Sequence, residues 1–487
     1  MNFPDVDWGA TFEEDCIVAV ESFVADERRL RPQTLNYRGT DLGSALERHI
    51  YIGLMQNVSI QYLYACALAG VSAQSQGLPS HLLAAGRRLV PALRDCILPL
   101  PQPKTMPQTV LTAVDRAMGI FGRAKATQNR PILAAVHHPK FVTYLRPITE
   151  AMPGKIAFLI APRAAIKHHS FPLSPDELRI LPRAIPHKSA ASTAWPDLCR
   201  WAEELDTALA RYNPACVLTV EGDAPYHELI AQRARSRGIT ALCLQWGAFP
   251  YRSPRNGFRR MGHNAFLAWG EGFAEQLRPY NPDIAFALVG DHVLDPRPSA
   301  KVRRLIFLLQ GVNNTTIQLW HWQNFLAFIV WTAGQYPDWE VIVRPHPSLT
   351  LTGDEVLALK AHANVRIEDT ANLPLRDSLK GATLAVAMTS SAILEAAADG
   401  AVPFLFNPTT AVPRFKPDFE LWNAGLEVKN LSDARRRMAE LLAAGDPDAP
   451  SINRFRPGLQ RLVSHFFCAT GTAALGKIKA QLEAAIT

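Results

Sequence analysis

The segment from residue 339 to residue 408 constrains the fold more than any other part of the chain. It contains three short apolar runs that are typical of buried strands. The polar sequence RPHP (344–347) follows the first run and TSS (389–391) follows the second, after which good helix formers lead to a stop at Asp399 and Gly400. Strand, loop, helix and strand in this order predict a parallel α/β sheet.

Both polar segments stand at the carboxyl ends of predicted strands, where such sheets bind their ligands. Ser390 and Ser391 open a helix whose N–H groups favour an anion, and the carboxylate of Glu395, one turn further, suits sugar hydroxyls. His346, fixed between two prolines, can donate to a phosphate oxygen, and Arg344 can pair with a phosphate. The alternative is a serine helix cap, a proline-rich turn and a salt-bridged Arg344. The two segments together favour a nucleotide site.

The sequences RPHP and TSSAILEAAADGAVPFLFNP resemble the C-terminal half of GT-B glycosyltransferases that build bacterial surface polysaccharides. Their His-Pro and Ser-Ser motifs are similar to those of polysialyltransferases, capsule-type Kdo transferases and CDP-glycerol polymerases. In those families the motifs bind a nucleotide phosphate, usually of a cytidine donor. The resemblance covers residues 300–440. It implies donor binding by His346, Pro347, Thr389, Ser390 and Ser391, without a bound metal or any other cofactor.

The resemblance also implies the GT-B architecture, in which two Rossmann-like domains face a cleft. Apolar runs alternate with helical segments through residues 131–295, which predicts a first, acceptor-binding and catalytic α/β domain of about five strands. Residues 300–450 form the predicted nucleotide-sugar-binding domain. Residues 451–487 are helical, and in GT-B enzymes a terminal helix crosses back to the first domain.

Residues 1–130 have helical apolar spacing with proline-rich breaks and are predicted to be a helical N-terminal extension. Two interpretations remain open for this extension. It is either an accessory domain that binds an acceptor or a partner, or a helical elaboration that packs on the first sheet domain.

A glycine- and asparagine-containing loop follows the predicted strand 304–309, at the same sheet edge as the nucleotide site. We expect Gln310, Asn313 and Asn314 to lie beside the donor, where backbone N–H groups of the loop can face phosphate. The alternative is that the asparagines merely cap the loop.

The predicted catalytic residues lie in the first domain, where the strand 215–220 ends at Glu221 and Asp223. An inverting glycosyl transfer needs a base for the acceptor hydroxyl, and a retaining one can use a carboxylate nucleophile. We predict that this pair supplies the group, without deciding which member reacts. For Asp223 the alternative is a helix N-cap, because Pro225 stands just inside the following helix.

Two histidines follow the strand 132–136 and are the second candidates for a base or an acceptor contact. His137 and His138 stand at its carboxyl end, on the predicted cleft side. The alternative is that each hydrogen-bonds only within its own loop.

The composition favours anionic ligands and a cytoplasmic location. The formal net charge is +7 and the pI is about 9.0, without basic runs, so we predict no nucleic-acid partner. The seven cysteines are dispersed without metal-ligand spacing, as expected for reduced thiols. The N-terminus lacks the pattern of a signal peptide, and no window has the ~18 apolar residues of a membrane span. A peripheral association with the inner membrane stays open.

Together these features predict a glycosyltransferase that moves a sugar from a nucleotide-activated donor to a growing capsular polysaccharide, lipopolysaccharide or other glycolipid. The resemblance places CMP-Kdo and CMP-sialic acid ahead of CDP-glycerol and UDP-sugars. Two alternatives are kept. One is a UDP-sugar 2-epimerase, which shares the two-domain fold and would need several acid or base groups but no acceptor. The other is a non-catalytic binding subunit of a polysaccharide assembly complex.

Overall fold

The computed structural model shows two parallel β-sheets, each covered by helices on both faces, and a group of N-terminal helices. It describes residues 8–70, 89–97, 131–160, 178–180, 191–248, 256–296, 299–312, 317–370, 372–408 and 418–487. Asn313 and Asn314 lie outside these residues. Among the helices so described, none is long and apolar enough to cross a bilayer.

The N-terminal helices pack directly on the first sheet domain. They are α1 (Gly9–Leu30), α2 (Pro32–Leu35), α3 (Leu42–Met55), α4 (Val58–Ala69) and α5 (Leu89–Asp95), with an antiparallel pair formed by β1 (Asn36–Tyr37) and β2 (Thr40–Asp41). Trp8 and Phe12 of this region share one buried apolar cluster with Leu133 and Val217 of the first sheet. This continuous core favours an elaboration of the first domain over a separate accessory domain.

The first sheet is entirely parallel, and its strand order is β5-β4-β3-β6-β7-β8-β9. Its strands are β3 (Ile132–Val136), β4 (Ile156–Ile160), β5 (Leu178–Ile180), β6 (Cys216–Val220), β7 (Thr240–Leu244), β8 (Ala265–Ala268) and β9 (Ala285–Leu288). Strand β5 lies in a stretch that the sequence pattern predicts as loop. The order of the strands reverses between β3 and β6, which makes this the switch point where a ligand crevice opens.

In the described part of this domain, the helices that alternate with the strands are α6 (Pro139–Ala151), α7 (Ala191–Tyr212), α8 (Pro225–Arg235) and α9 (Glu271–Leu277). Short 3-10 turns span Asn256–Phe258 and Arg278–Tyr280. The central strands are buried along their whole length on both faces, as expected for a parallel sheet between two helical layers.

The second sheet repeats this design with the order β12-β11-β10-β13-β14-β15. Its strands are β10 (Arg304–Leu308), β11 (Glu340–Arg344), β12 (Val365–Ile367), β13 (Leu384–Ala387), β14 (Val402–Phe406) and β15 (Leu426–Val428). The flanking helices are α10 (Leu319–Gln335), α11 (Gly353–Lys360), α12 (Leu375–Leu379), α13 (Ala392–Ala398), α14 (Leu431–Leu442) and α15 (Pro450–Asn453). The switch point lies between β10 and β13. These two Rossmann-like domains confirm the predicted fold class.

The chain ends in two helices, α16 (Arg456–Phe466) and α17 (Gly471–Ile486), where the sequence pattern predicts a single one. The break occurs because Cys468 donates its N–H to the Trp269 carbonyl of the first domain, at 2.9 Å. Beyond the break, Ile478 and Leu482 of α17 are buried in the apolar cluster of strands β3 and β4. The last helix therefore packs on the first domain.

Candidate functional site

Three polar segments form one edge at the switch point of the second sheet. Thr389, after β13, donates its hydroxyl to the side-chain oxygen of Gln310, after β10, so the two diverging loops are joined across the switch point. A Cβ on Gly311 would lie 2.9 Å from Leu349, so the loop after β10 also touches the loop after β11. The three loops are therefore neighbours at this edge.

His346 is exposed at this edge, and its tautomer follows from a local bond. Its Nδ1 accepts the backbone N–H of Ser348 at 3.2 Å, so a neutral ring carries its proton on Nε2 and can donate it. Partial burial lowers the pKa of His346, and the nearby ammonium group of Lys140 lowers it further. Pro347, beside it, is exposed.

Arg344 is buried and its guanidinium is engaged by the protein itself. It contacts the Glu368 carboxylate at 3.1 Å, the Ser378 hydroxyl at 2.6 Å and the Leu373 carbonyl at 2.9 Å. This geometry favours the salt-bridge alternative over a direct phosphate contact. The charge of Arg344 still reaches the site, because it opposes the rise in the pKa of Glu395.

The start of α13 combines hydroxyl groups with a protonatable carboxyl group. Ser390 is buried and Ser391 is exposed, and the Ser391 side chain makes no capping hydrogen bond to the helix. Burial raises the pKa of Glu395 to about 7, and the carboxylates of Asp291 and Asp399 contribute to the rise. Near neutral pH, Glu395 can therefore donate or accept a hydrogen bond to a sugar hydroxyl.

Charged groups of the first domain shift the pKa values of two groups of the second, as expected where the edges of the two domains face each other. Lys140, at the start of α6, acts on His346, and its ammonium lies 3.8 Å from the centre of the Trp246 ring. Asp291, just after the first sheet, acts on Glu395 and has its own pKa raised to about 6 by burial. The strand-end pattern alone does not single out Asp291, although it follows β9 closely.

Glu221 and Asp223 follow β6, at the switch point of the first sheet. Glu221 has a φ of +72° and Gly222 a φ of +85°, so the turn places a non-glycine residue in the left-handed region. Such strain costs about 1–3 kcal/mol and is concentrated at functional sites. Helix α8 has Ala224 as its N-cap, without a side-chain bond, so the N-cap alternative for Asp223 is wrong.

The two histidines after β3 have different surroundings. His138 is exposed, and its Nδ1 accepts the N–H of Lys140 at 3.1 Å, which caps helix α6. The Nδ1 of His137 lies 3.3 Å from Nε2 of His227, a fully buried residue of α8 whose burial holds its pKa well below the ordinary range. Sequence reasoning missed His227, because nothing in the helical pattern of α8 marks it.

The described part of the chain holds no group of three His, Cys, Asp or Glu side chains placed to share a metal ion. The site as described therefore consists of hydroxyl groups, imidazoles, carboxyl groups and backbone groups.

Two doubly wound domains whose ligand edges face each other define a protein of the GT-B fold. No model of a known protein family matches the chain, and no curated protein matches it in sequence.

Solved structures give the comparison at the level of the fold. A Listeria monocytogenes protein assigned as a UDP-N-acetylglucosamine 2-epimerase matches with a TM-score of 0.51 and 14% identity over 73% of this chain and 97% of that chain. The UDP-GlcNAc 2-epimerase from Neisseria meningitidis, bound to UDP-GlcNAc, matches with a TM-score of 0.51 and 15% identity over 72% of this chain and 100% of that chain. At these identities the likeness shows a common fold.

Proposed function

We propose that the protein is a metal-independent glycosyltransferase that uses a nucleotide-activated sugar. The observation that carries the proposal is the pair of facing switch points, one lined by hydroxyl groups and His346, the other by the strained turn at Glu221 and Asp223. A GT-B enzyme needs this division, because donor and acceptor bind opposite edges of one cleft.

The donor is proposed to bind the second domain. Ser390, Ser391 and the Nε2–H of His346 supply hydrogen bonds to a phosphate, and Glu395 contacts a sugar hydroxyl. Gln310 and Thr389 hold the two loops together beneath it. The motif resemblance supports a CMP-sugar such as CMP-Kdo as the donor. The net charge of +7 supports an anionic donor, or an anionic membrane surface beside the acceptor.

The catalytic group is proposed to be Asp223 or Glu221. Both follow the central strand β6, and neither is removed from consideration by a helix-capping role. A carboxylate at this edge can take the proton of the acceptor hydroxyl as the sugar is transferred. The proposed acceptor is a growing bacterial surface polysaccharide or a glycolipid.

An epimerase acting on a UDP-sugar is the second candidate function. It is favoured by the likeness to two structures assigned to UDP-GlcNAc 2-epimerases and by the raised pKa values of Asp291 and Glu395, two acid–base groups in one cleft. The two reactions differ in their products. A transferase releases the free nucleotide, whereas an epimerase keeps the nucleotide attached to the sugar.

The first test is a thermal-shift panel with CMP, CDP, UMP, UDP and GDP. A ligand at about 100 times its Kd should add about 2.7 kcal/mol to the free energy of unfolding, and we expect the largest shift with CMP. His346→Ala should abolish the shift while changing the stability of the free protein by less than about 0.5 kcal/mol, because the side chain is exposed. Arg344→Met is the matched variant. It should lose about 3 kcal/mol of stability, because the buried Glu368 carboxylate then keeps only the half-exposed Arg366 as an ion-pair partner.

Each outcome of the panel has a defined meaning. If only UDP shifts the unfolding temperature, the protein is then incubated with a UDP-sugar. Formation of the epimerised UDP-sugar without release of the nucleotide would favour the epimerase over the transferase. Full nucleotide binding by His346→Ala would show that the donor residues are wrongly assigned. The absence of any shift would favour the non-catalytic subunit, or a site that forms only when the acceptor or a partner is bound.

A further inference from the structure

Arg48, on helix α3 of the N-terminal region, is the largest charged side chain that is fully buried in the described residues. Its guanidinium donates to the carbonyl of Gly257 at 3.2 Å and to that of Arg259 at 3.0 Å, and it also contacts the Ser44 carbonyl at 2.8 Å. Three backbone carbonyls from two parts of the chain thus converge on one side chain.

The loop that Arg48 contacts is also held at its other end. Arg48 forms an ion pair with the buried carboxylate of Glu228 at 3.2 Å, and Glu228 accepts the N–H of Gly262 at 2.8 Å. The segment 257–262, hereafter the clasp loop, is therefore fixed at both ends by one buried ion pair. Removing either partner would leave an uncompensated charge in the interior.

The clasp loop lies directly on the turn that carries the proposed catalytic carboxylates. A Cβ on Gly257 would stand 2.4 Å from the carbonyl oxygen of Asp223 and 2.5 Å from its Cα. At the other end of the loop, the Met261 side chain would come within 2.6 Å of a Cβ on Gly222. The clasp loop thus packs against the two residues that follow the strained Glu221.

We propose that Arg48 is a positioning residue for catalysis, which acts through the clasp loop to hold the Glu221–Asp223 turn at the cleft. The N-terminal helices then contribute to the proposed transfer reaction without contacting a substrate. This inference rests on the proposed function, because it takes Asp223 or Glu221 as the reacting group. The N-terminal region would then have a role in catalysis in addition to its packing on the first domain.

Gly257→Ala is the sharpest test, because it removes no charge and no hydrogen bond. Gly257 does not have a positive φ, so alanine adds no backbone strain of its own, and its methyl group must displace the Asp223 backbone. We expect kcat to fall about 100-fold with a little-changed KM for the nucleotide-sugar, since a small misplacement of a reacting group has this effect. Gly476→Ala, on α17 with nothing within 4 Å of the added methyl, is the matched control and should behave as wild type.

Arg48 itself is tested by charge-conserving and charge-removing variants. Arg48→Lys keeps a partner for Glu228 but cannot reach the carbonyls with a planar fork, so kcat should fall while the CMP-induced thermal shift stays as in wild type. Arg48→Met is expected to fold poorly. Arg29→Ala, on helix α1 of the same N-terminal region but outside the clasp loop, is the comparison variant, because it removes an exposed ion pair with Asp26 and should retain activity.

The results separate this inference from the proposed function. Unchanged kcat in both Gly257→Ala and Arg48→Lys would overturn the positioning role, even with a fully active wild type. A loss of kcat matched by an equal loss of nucleotide binding would overturn it as well, because the defect would then be general. A wild-type protein that binds no nucleotide and transfers no sugar would instead overturn the proposed function. In that case, an Asp223 backbone unmoved in a crystal structure of Gly257→Ala would refute the clasp itself.

Discussion

Asp291 and Glu395 keep their protons to higher pH than ordinary carboxyl groups, and they do so because of shared surroundings. Burial is the main cause of both pKa shifts, and the carboxylate of Asp291 raises the pKa of Glu395 further. The pKa of Glu395 rises from an ordinary value of 4.5 to about 7, and that of Asp291 from 3.8 to about 6. The stability of the protein should therefore depend on pH in a way that the composition does not suggest.

The sign of this dependence follows from proton binding. Since the folded protein holds the Glu395 proton more tightly than the unfolded chain, the associated stabilisation is complete below about pH 4.5 and is lost as the pH rises through 7. Glu395→Gln should flatten the fall in unfolding free energy between pH 5 and 8. At pH 8 it should be more stable than wild type by about 1–2 kcal/mol, with allowance for partial exposure. Denaturant unfolding at several pH values measures this.

Glu14→Gln, at an exposed position on α1, is the control and should reproduce the wild-type curve. The same slope in wild type and Glu395→Gln would show that Glu395 is ionised as an ordinary carboxyl group. If the unfolding free energy of Glu395→Gln still falls with rising pH in a lower pH range, we assign that fall to Asp291. Its pKa of about 6 places its loss of stability at a lower pH than that of Glu395.

Single residues also show where sequence reasoning stops. Arg344 is open to two interpretations in the sequence, because its partner Glu368 follows a neighbouring strand and only the sheet register brings the two together. His227 carries no signal in the sequence, since its contact with His137 depends on how α8 packs on the first sheet. Local patterns identify residues at strand ends, but the partners that decide their roles come from distant segments.

Among the elements, helix α6 links the two histidines after β3 to the cleft. His138 caps this helix through its Nδ1, and Lys140 in the first turn places its charge near the second domain. The sequence pattern places His138 among the catalytic candidates. Its position as a cap gives it a structural role that a short polar side chain can also fill.

We therefore predict that His138→Asn behaves as wild type in stability and in sugar transfer. His138→Ala should lose about 1 kcal/mol of unfolding free energy, because the N–H of Lys140 loses its acceptor. Thermal unfolding measures the stability of the two variants, and initial-rate kinetics measure their sugar transfer. A large loss of kcat in His138→Asn would mean that the imidazole takes part in the reaction.

The order of the elements is predictable where strands are buried on both faces, because continuous apolar runs such as 132–136 and 384–388 are typical of the inner strands of a parallel sheet. Strand β5, of only three residues, carries no such run. The break between α16 and α17 is also absent from the sequence pattern. It depends on a hydrogen bond to Trp269, almost two hundred residues earlier, rather than on a local helix stop.

At the scale of the whole molecule, α17 covers part of the first domain although it follows the second. Ile478 and Leu482 are fully buried in the apolar cluster that includes residues of β3, β4, β6 and α6, and a second apolar cluster contains both Phe273 of the first domain and Phe466 of α16. The C-terminal residues thus contribute to the stability of the domain that begins at residue 131.

Ile478→Ala and Leu482→Ala should each lower the unfolding free energy by about 2–4 kcal/mol, because each leaves a cavity in this shared core. The first domain should lose this stability and the second should not. Hydrogen exchange followed by mass spectrometry would then show faster exchange in β3 and β4 than in β10 and β11. Lys479→Ala, on the exposed side of the same helix, is the control. Equal acceleration in both domains would indicate a single cooperative unit.

The chain passes between the domains twice, and the two passages lie side by side. Asp291 and Thr470 form a parallel bridge there, with Asp291 donating to the Ala469 carbonyl at 3.1 Å and accepting from the N–H of Gly471 at 3.0 Å. A single tether would let one half of the molecule swivel freely against the other. Two hydrogen-bonded segments resist rotation of one domain about the axis that joins the domains, but they permit a hinge motion. We therefore expect the cleft to open and close by bending at this pair of segments. Two ligands bound on opposite sides of the cleft would then change their separation while keeping their relative orientation.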